Sequence, residues 1–442
     1  MTEVTPAGPP RLPPGPDGEV SLATVRADPL AFLRGMAERH GDVSHHRAEG
    51  WEVTLANTPA AARRILRENR RNYTKAGTPD EAMLVPLLGR GLLTSEGELW
   101  KRQRRVVQPA FRPHVVARFD TDMTAAAVEV ADRWLAAPAG EPVRVDRDLT
   151  ALTLTVVARA ILGSDVSIGP RFGEAVDAVN RFMSHYDPGS GDPEIARDRA
   201  AFGAALGFLD RIVRLLVDGR RIGGEPDAPA QDVLDALLRD GTDQTEIRDQ
   251  VLTILMAGHE TTAKALTWTL WLLDRHPAER ERVEAEVDAV LGGRLPTAAD
   301  APRLTACRKA VAEALRLYPP VWLISRRALG EDELEGFHVA PGTLVCVSPY
   351  LLHRHPGLWA RPDEFDPSRF DGPEPDPFAY LPFSGGPRQC VGRELALLET
   401  QLVVAVLCSR LRARLAPGHP VEPEALVTLR PRHGMAMTIE AR

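Results

Sequence analysis

The chain has 442 residues, 44% of them hydrophobic and 26% charged, which excludes disorder as the default and leads us to expect a large buried core. A formal net charge of −7 and a pI near 6.0 leave no electrostatic footprint for nucleic acid or for an anionic membrane. Cys307, Cys346, Cys390 and Cys408 form no CxxC pair and no zinc spacing, so neither a disulfide framework nor a structural zinc is expected.

The first 18 residues read as a proline-rich lead-in, PPII-like over 11–18, without the basic start and apolar core of a secretory signal. Nowhere do about 18 apolar residues run free of charge, the length a spanning helix requires. A soluble, cytoplasmic protein is the expectation. The segment 28–40 reads as a short amphipathic helix closed by Gly41, and WEVTLA at 51–56 reads as a strand ended by the turn at 57–59, with helical spacing resuming over 60–69. From about 98 to 238 the pattern is almost wholly helical, with breaks at PAG, at GSD and at the 187–193 run DPGSGDP, which reads as a loop.

The longest helical signal starts at Asp243, where Asp243 and Glu246 approximate a capping box, and runs without proline to Arg275. At 1.5 Å per residue it would be roughly 50 Å long, enough to cross a domain. Helices are then expected over 277–291 and 301–317, strands near 324–328 and 343–347, and a last helix over 391–411. A hairpin is expected around RPRHGMAMTIE. With no repeat and no linker, residues 1–442 read as a single domain, mainly α with a smaller β part.

Cys390 lies in FSGGPRQCVG, flanked by glycines just before the last helix. Helix N-terminal N–H groups and Arg388 favour a thiolate there, the form a metal ligand requires. Gly386 and Gly392 would let a flat macrocycle approach the backbone, and Phe383 could cover the sulfur. On Cys390 alone, a buried structural cysteine is the favoured reading. EALR places Glu313 and Arg316 side by side on one helix face. AGHETT, residues 257–262, interrupts the long apolar helix with a continuous polar patch, whereas a solvated face would recur every three to four residues.

These residues resemble the cytochrome P450 superfamily. The decapeptide matches FxxGxRxCxG at Phe383, Gly386, Arg388, Cys390 and Gly392, a chance match of about one in ten thousand for a chain this long. EALR resembles the family's ExxR, and Arg369 in FDPSRF takes the place of the arginine that would complete a buried charge triad with Glu313 and Arg316. AGHETT resembles the oxygen-activation motif, with Ala257 and Gly258 bordering the oxygen groove and Glu260 and Thr261 as the acid and alcohol pair. Trp100 and Arg104 in WKRQR match WxxxR, and with Arg326 and Arg388 they would serve the haem propionates. A basic docking face on the same helix is the other reading of WKRQRR.

The resemblance implies a single-domain cytochrome P450 fold with haem b, and Cys390 as the axial ligand of its iron. Dioxygen would be the co-substrate. Electrons would come from NAD(P)H through a ferredoxin or flavodoxin with its reductase, and the chain would act as a monomer. The expected reaction is hydroxylation or epoxidation of a hydrophobic small molecule, with a terpenoid or a polyketide or macrocyclic secondary metabolite favoured. A fatty-acid hydroxylase, a peroxide-using or non-oxygenating member, and a haem-based sensor or carrier are the alternatives. Substrate would meet residues 74–90, 180–195, 255–257, 321–324 and the tip near Gly434.

Overall fold

Helix ends follow their local chemistry. In a computed structural model that describes residues 11–163, 170–184, 193–223 and 232–442, the Asp28 carboxylate accepts the Ala31 N–H at 2.9 Å and caps the helix Pro29–His40. That helix stops at Gly41, whose φ of +85° suits a residue without Cβ. Asp243 likewise accepts the Glu246 N–H at 2.9 Å and opens the helix Gln244–Arg275. The breaks expected just past Gly163 and over 187–192 lie outside the described residues.

The chain falls into two units, the first holding the described residues up to Glu81 with Val321–Glu364 and Pro373–Cys390. Its centre is a five-stranded sheet ordered Val43–Ala48, Trp51–Ala56, Leu344–Val347, Ile324–Ala328, Tyr73–Thr74. The outer pair Val43–Ala48 and Trp51–Ala56 is an antiparallel hairpin, whereas Trp51–Ala56 runs parallel to Leu344–Val347 in the register Val53↔Leu344. The strand Val43–Ala48 (VSHHRA) went unread in the sequence because two histidines and an arginine mask its alternation. Asp332–Leu334 and Phe337–Val339 form a further hairpin, turned by Glu335 and Gly336 at φ +52° and +80°. Beneath these strands lies a core of Ile65, Leu66, Ile324, Val345, Phe378 and Leu381, among others.

The second unit comprises Ala82–Pro320, Phe365–Gly372 and Val391–Arg442 and is mainly helical. Twenty of the 32 residues of Gln244–Arg275 are buried, so this is a central helix rather than an amphipathic surface one. The helix Val145–Leu162 packs along it. The helix expected over 301–317 is divided at Leu304. A capping box between Thr297 and Asp300 organises the short turn Ala298–Arg303, and the Glu286 carboxylate then accepts the Ala306 and Cys307 N–H groups that open Thr305–Leu317.

The hairpin expected around RPRHGMAMTIE is not formed. Leu429–Pro431 pairs instead with Pro423–Ala425, while Ala436–Ala441 joins Leu411–Leu415 and Val143–Arg144 in a separate three-stranded sheet. Five residue pairs, from Met437↔Leu415 to Ala441↔Leu411, give that partner the longer ladder. Gly434 packs against Arg144: a Cβ there would lie 1.8 Å from its guanidinium.

Candidate functional site

The first unit carries the cysteine loop. Phe378 and Leu381 anchor it in the core, and the Leu381 N–H donates to His353 Nε2 at 2.7 Å, which explains the fully buried His353 as a loop support. From there Ser384 N donates to Leu381 O at 3.1 Å, Gln389 N to Gly386 O at 3.1 Å, and Cys390 N to Phe383 O at 3.0 Å. These bonds curl residues 381–390 back on themselves and leave the Cys390 side chain exposed. Gly386 has a reason the sequence did not supply. It sits at φ +66°, and a Cβ on it would come within 2.0 Å of the Leu66 carbonyl, so the glycine is required where the loop presses on residues 66–67.

Cysteine chemistry separates Cys390 from the other three. Cys307, Cys346 and Cys408 are buried, and burial pushes their thiols up, to about 12 for Cys408. Such thiols stay protonated and inert. Arg326 is buried on Ile324–Ala328, where its Nη1 donates to Ser325 O at 2.6 Å, and Arg388 lies in the short turn Gly386–Arg388 two residues before the cysteine.

The second unit holds the charge triad and the polar patch. Glu313 takes Arg316 in a bidentate grip, Nε to Oε2 and Nη2 to Oε1, both at 2.7 Å. Its Oε1 also accepts Arg369 Nε at 3.1 Å and the Asp366 N–H at 3.0 Å. Glu313 and Arg316 are fully buried and Arg369 nearly so. This is no surface ion pair of small worth. Breaking such a buried, fully bonded pair costs about 3–5 kcal/mol.

On the long helix Thr261 Oγ1 donates to the Ala257 carbonyl at 2.8 Å, the i−4 bond that Thr262, Thr267 and Thr269 also make. Ala257 is exposed, while Met256, Gly258 and Thr261 are half-buried. They form an open stripe on an otherwise buried helix. Gly258 also serves packing: a Cβ there would lie 2.8 Å from Val157 Cγ2, so it allows Val145–Leu162 to approach closely. His259 is buried, its Nδ1 against Leu255 O at 2.6 Å, and its carbonyl accepts Thr153 Oγ1 at 2.8 Å.

Glu260 does not bond to Thr261. Its Oε1 accepts Thr428 Oγ1 at 3.0 Å, with both residues buried. Thr428 was missed in the sequence, since nothing local marks a threonine 168 residues away as a partner. Trp100 and Arg104 share a face of Gly97–Val107, with Arg104 Nε donating to Gln108 Oε1 at 3.0 Å. Arg102 on that helix is bonded to Glu246 and lies 3.5 Å from Asp240, so part of the basic WKRQRR run ties helices together.

The residues present fit a haem. The donor set offers one exposed thiol on a bonded loop, two arginines in the first unit, an indole and a guanidinium on one helix face of the second, and an open stripe edged by a hydroxyl. Comparison with known proteins agrees. The family model described as Cytochrome P450 matches residues 18–436. The chain is 36% identical to a cyclooctatin synthase of Streptomyces melanosporofaciens over 425 residues, covering 91% of this chain and 89% of the relative. It is 35% identical to a cyclooctat-9-en-7-ol 5-monooxygenase of the same organism over 413 residues, covering 88% and 86%. The crystal structure of the cytochrome P450DA heme domain superposes with a TM-score of 0.87 at 26% identity, covering 98% of each chain.

Proposed function

The chain belongs to the cytochrome P450 family and is a monooxygenase of that family, and from this premise we propose that it oxygenates a hydrophobic cyclic small molecule of terpenoid type through a haem held by Cys390. Bound there, the haem supplies dioxygen binding and its reductive cleavage. The cysteine loop presents the Cys390 thiolate, while Phe383, Gly386 and Gly392 shape the loop that holds it. Trp100, Arg104, Arg326 and Arg388 bind the propionates; a planar guanidinium pairs bidentately with a carboxylate. Thr261 Oγ1, bonded to Ala257 O, holds a proton at the open stripe, and the Glu260 carboxylate supplies protons to it. Glu313, Arg316 and Arg369 act structurally, fixing the segment 366–369 against the helix Thr305–Leu317.

One observation carries the reading: among four cysteines Cys390 alone is exposed, at the matched position of the family loop. The acid and alcohol pair supports oxygen activation over a carrier or sensor. The name of the second relative specifies an unsaturated cyclic alcohol, which supports a terpenoid substrate over a fatty acid. Electrons reach the site from NAD(P)H through a ferredoxin or flavodoxin with its reductase.

The reduced, CO-bound difference spectrum tests the ligand. The wild type should give the thiolate band and Cys390→Ala should lose it; retention in the variant overturns the assignment. For the substrate, the test is a low-to-high spin shift on adding cyclic terpene alcohols, macrolactones or fatty acids. A shift confined to fatty acids would refute the terpenoid reading.

A further inference from the structure

The oxygen-activation patch is tied to a part of the chain that its motif does not include. Residues 426–428 connect the strands Pro423–Ala425 and Leu429–Pro431, and the last of them, Thr428, donates its hydroxyl to Glu260 Oε1 at 3.0 Å. Both groups are buried. A hydrogen bond to a buried carboxylate is stronger than one between neutral groups, and a partner removed there leaves the carboxylate uncompensated.

The connection is itself held to the same helix a second time. Trp268 Nε1, eight residues beyond Glu260, donates to Leu429 O at 3.4 Å, and Leu429 N donates to Pro320 O at 2.9 Å. Trp268 is in turn stacked on Tyr318, ring centroids 4.0 Å apart and planes 10° from parallel. Thr428 is therefore a fixed donor rather than a passing contact. Neither Glu260 nor Thr261 bonds the other: the acid points to Thr428 and the alcohol to Ala257 O.

We propose that Thr428 is a positioning residue for Glu260, fixing the side-chain rotamer from which this carboxylate supplies protons toward Thr261. The inference rests on the proton-supply role given to Glu260 above. Proton supply decides how electrons divide in this enzyme. Dioxygen with two electrons and two protons gives hydrogen peroxide, and with four electrons and four protons it gives two waters. NADPH supplies the electrons in both cases. A misplaced acid should raise the peroxide share.

The experiment uses haem-loaded wild type, Thr428→Val, Thr428→Ser, Glu260→Gln and the double variant Thr428→Val/Glu260→Gln. Each is driven by NADPH through a surrogate ferredoxin and its reductase, with dioxygen as the only terminal electron acceptor. Hydrogen peroxide formed per NADPH should rise roughly threefold or more in Thr428→Val and return to near wild type in Thr428→Ser, which keeps the hydroxyl. In the Glu260→Gln background the valine should add little, because the two residues act as one unit. A second readout is independent of turnover. The fall in melting temperature caused by Thr428→Val should be clearly smaller when Glu260 is already Gln.

The outcomes separate the two ideas. If Glu260→Gln leaves the peroxide share unchanged, the proton-supply role of Glu260 fails and the inference with it. If Glu260→Gln raises that share but Thr428→Val does not, only the inference about Thr428 is overturned. Additive effects of the two substitutions on both readouts would likewise overturn it. Thr428→Ala, compared with Thr428→Ser by the same measurements, takes the place of the valine variant if that protein does not accumulate folded.

Discussion

Glu399 lies on the helix Arg393–Arg410, fully buried, and neither of its carboxylate oxygens has a hydrogen-bond partner among the described residues. Burial holds its carboxyl well above the ordinary value of 4.5, which favours the neutral form in the folded protein. Below pH 4.5 the carboxyl is protonated whether the chain is folded or not, and it costs no stability through ionisation. As pH rises above 4.5 the unfolded chain ionises before the folded one, so stability falls with rising pH. Glu399→Met should therefore stabilise the protein at pH 8 by about 2 kcal/mol, with the gain shrinking toward pH 4.5. Chemical denaturation at the two pH values measures this. The position reads as an ordinary helical glutamate in the sequence; only burial gives it weight.

Packing between elements explains Gly258, which its motif alone would assign to chemistry, and Glu313, which the sequence read as part of a buried charge triad. Gly258 falls within the oxygen-activation motif, yet a Cβ there would lie 2.8 Å from Val157 Cγ2. Gly258→Val should cost about 1–3 kcal/mol by overpacking the contact with Val145–Leu162, and Val157→Ala should restore part of it. Melting temperatures of the single and double variants check this. Glu313 joins its helix to the segment 365–372 through Arg369 and the Asp366 N–H. Glu313→Gln should lower stability by about 3–5 kcal/mol, because two buried guanidinium groups lose their counter-charge. The expected readout is a collapse in folded, soluble yield. The ExxR spacing was legible because i and i+3 share a helix face, whereas the partnership with Arg369, 56 residues away, was expected only from the family resemblance and is formed by the fold.

For the whole molecule, a cofactor bound by the folded chain and not by the unfolded one adds to stability by mass action. Removing the haem should lower the melting temperature, and reconstitution at a hundredfold excess over Kd should restore about 3 kcal/mol. Melting of the haem-free and reconstituted protein tests this. Helix starts at Asp28 and Asp243, the central helix to Arg275, the strand Trp51–Ala56 and the Cys390 loop were all legible in the sequence. Each is written in a few consecutive residues, by caps, by the 3.6 and 2.0 periodicities and by glycine placement. The 301–317 helix and the C-terminal hairpin were misread where a distant carboxylate, Glu286, or a competing strand, Leu411–Leu415, chose the outcome. Sequence alone thus determined most of the elements and the family, and it named candidate residues for the chemistry. Only the tertiary structure decided that Trp51–Ala56 pairs with Leu344–Val347, that Gly386 rests on the Leu66 carbonyl and that Glu260 turns to Thr428. Those choices depend on burial and hydrogen bonding between residues far apart along the chain, which no local periodicity encodes.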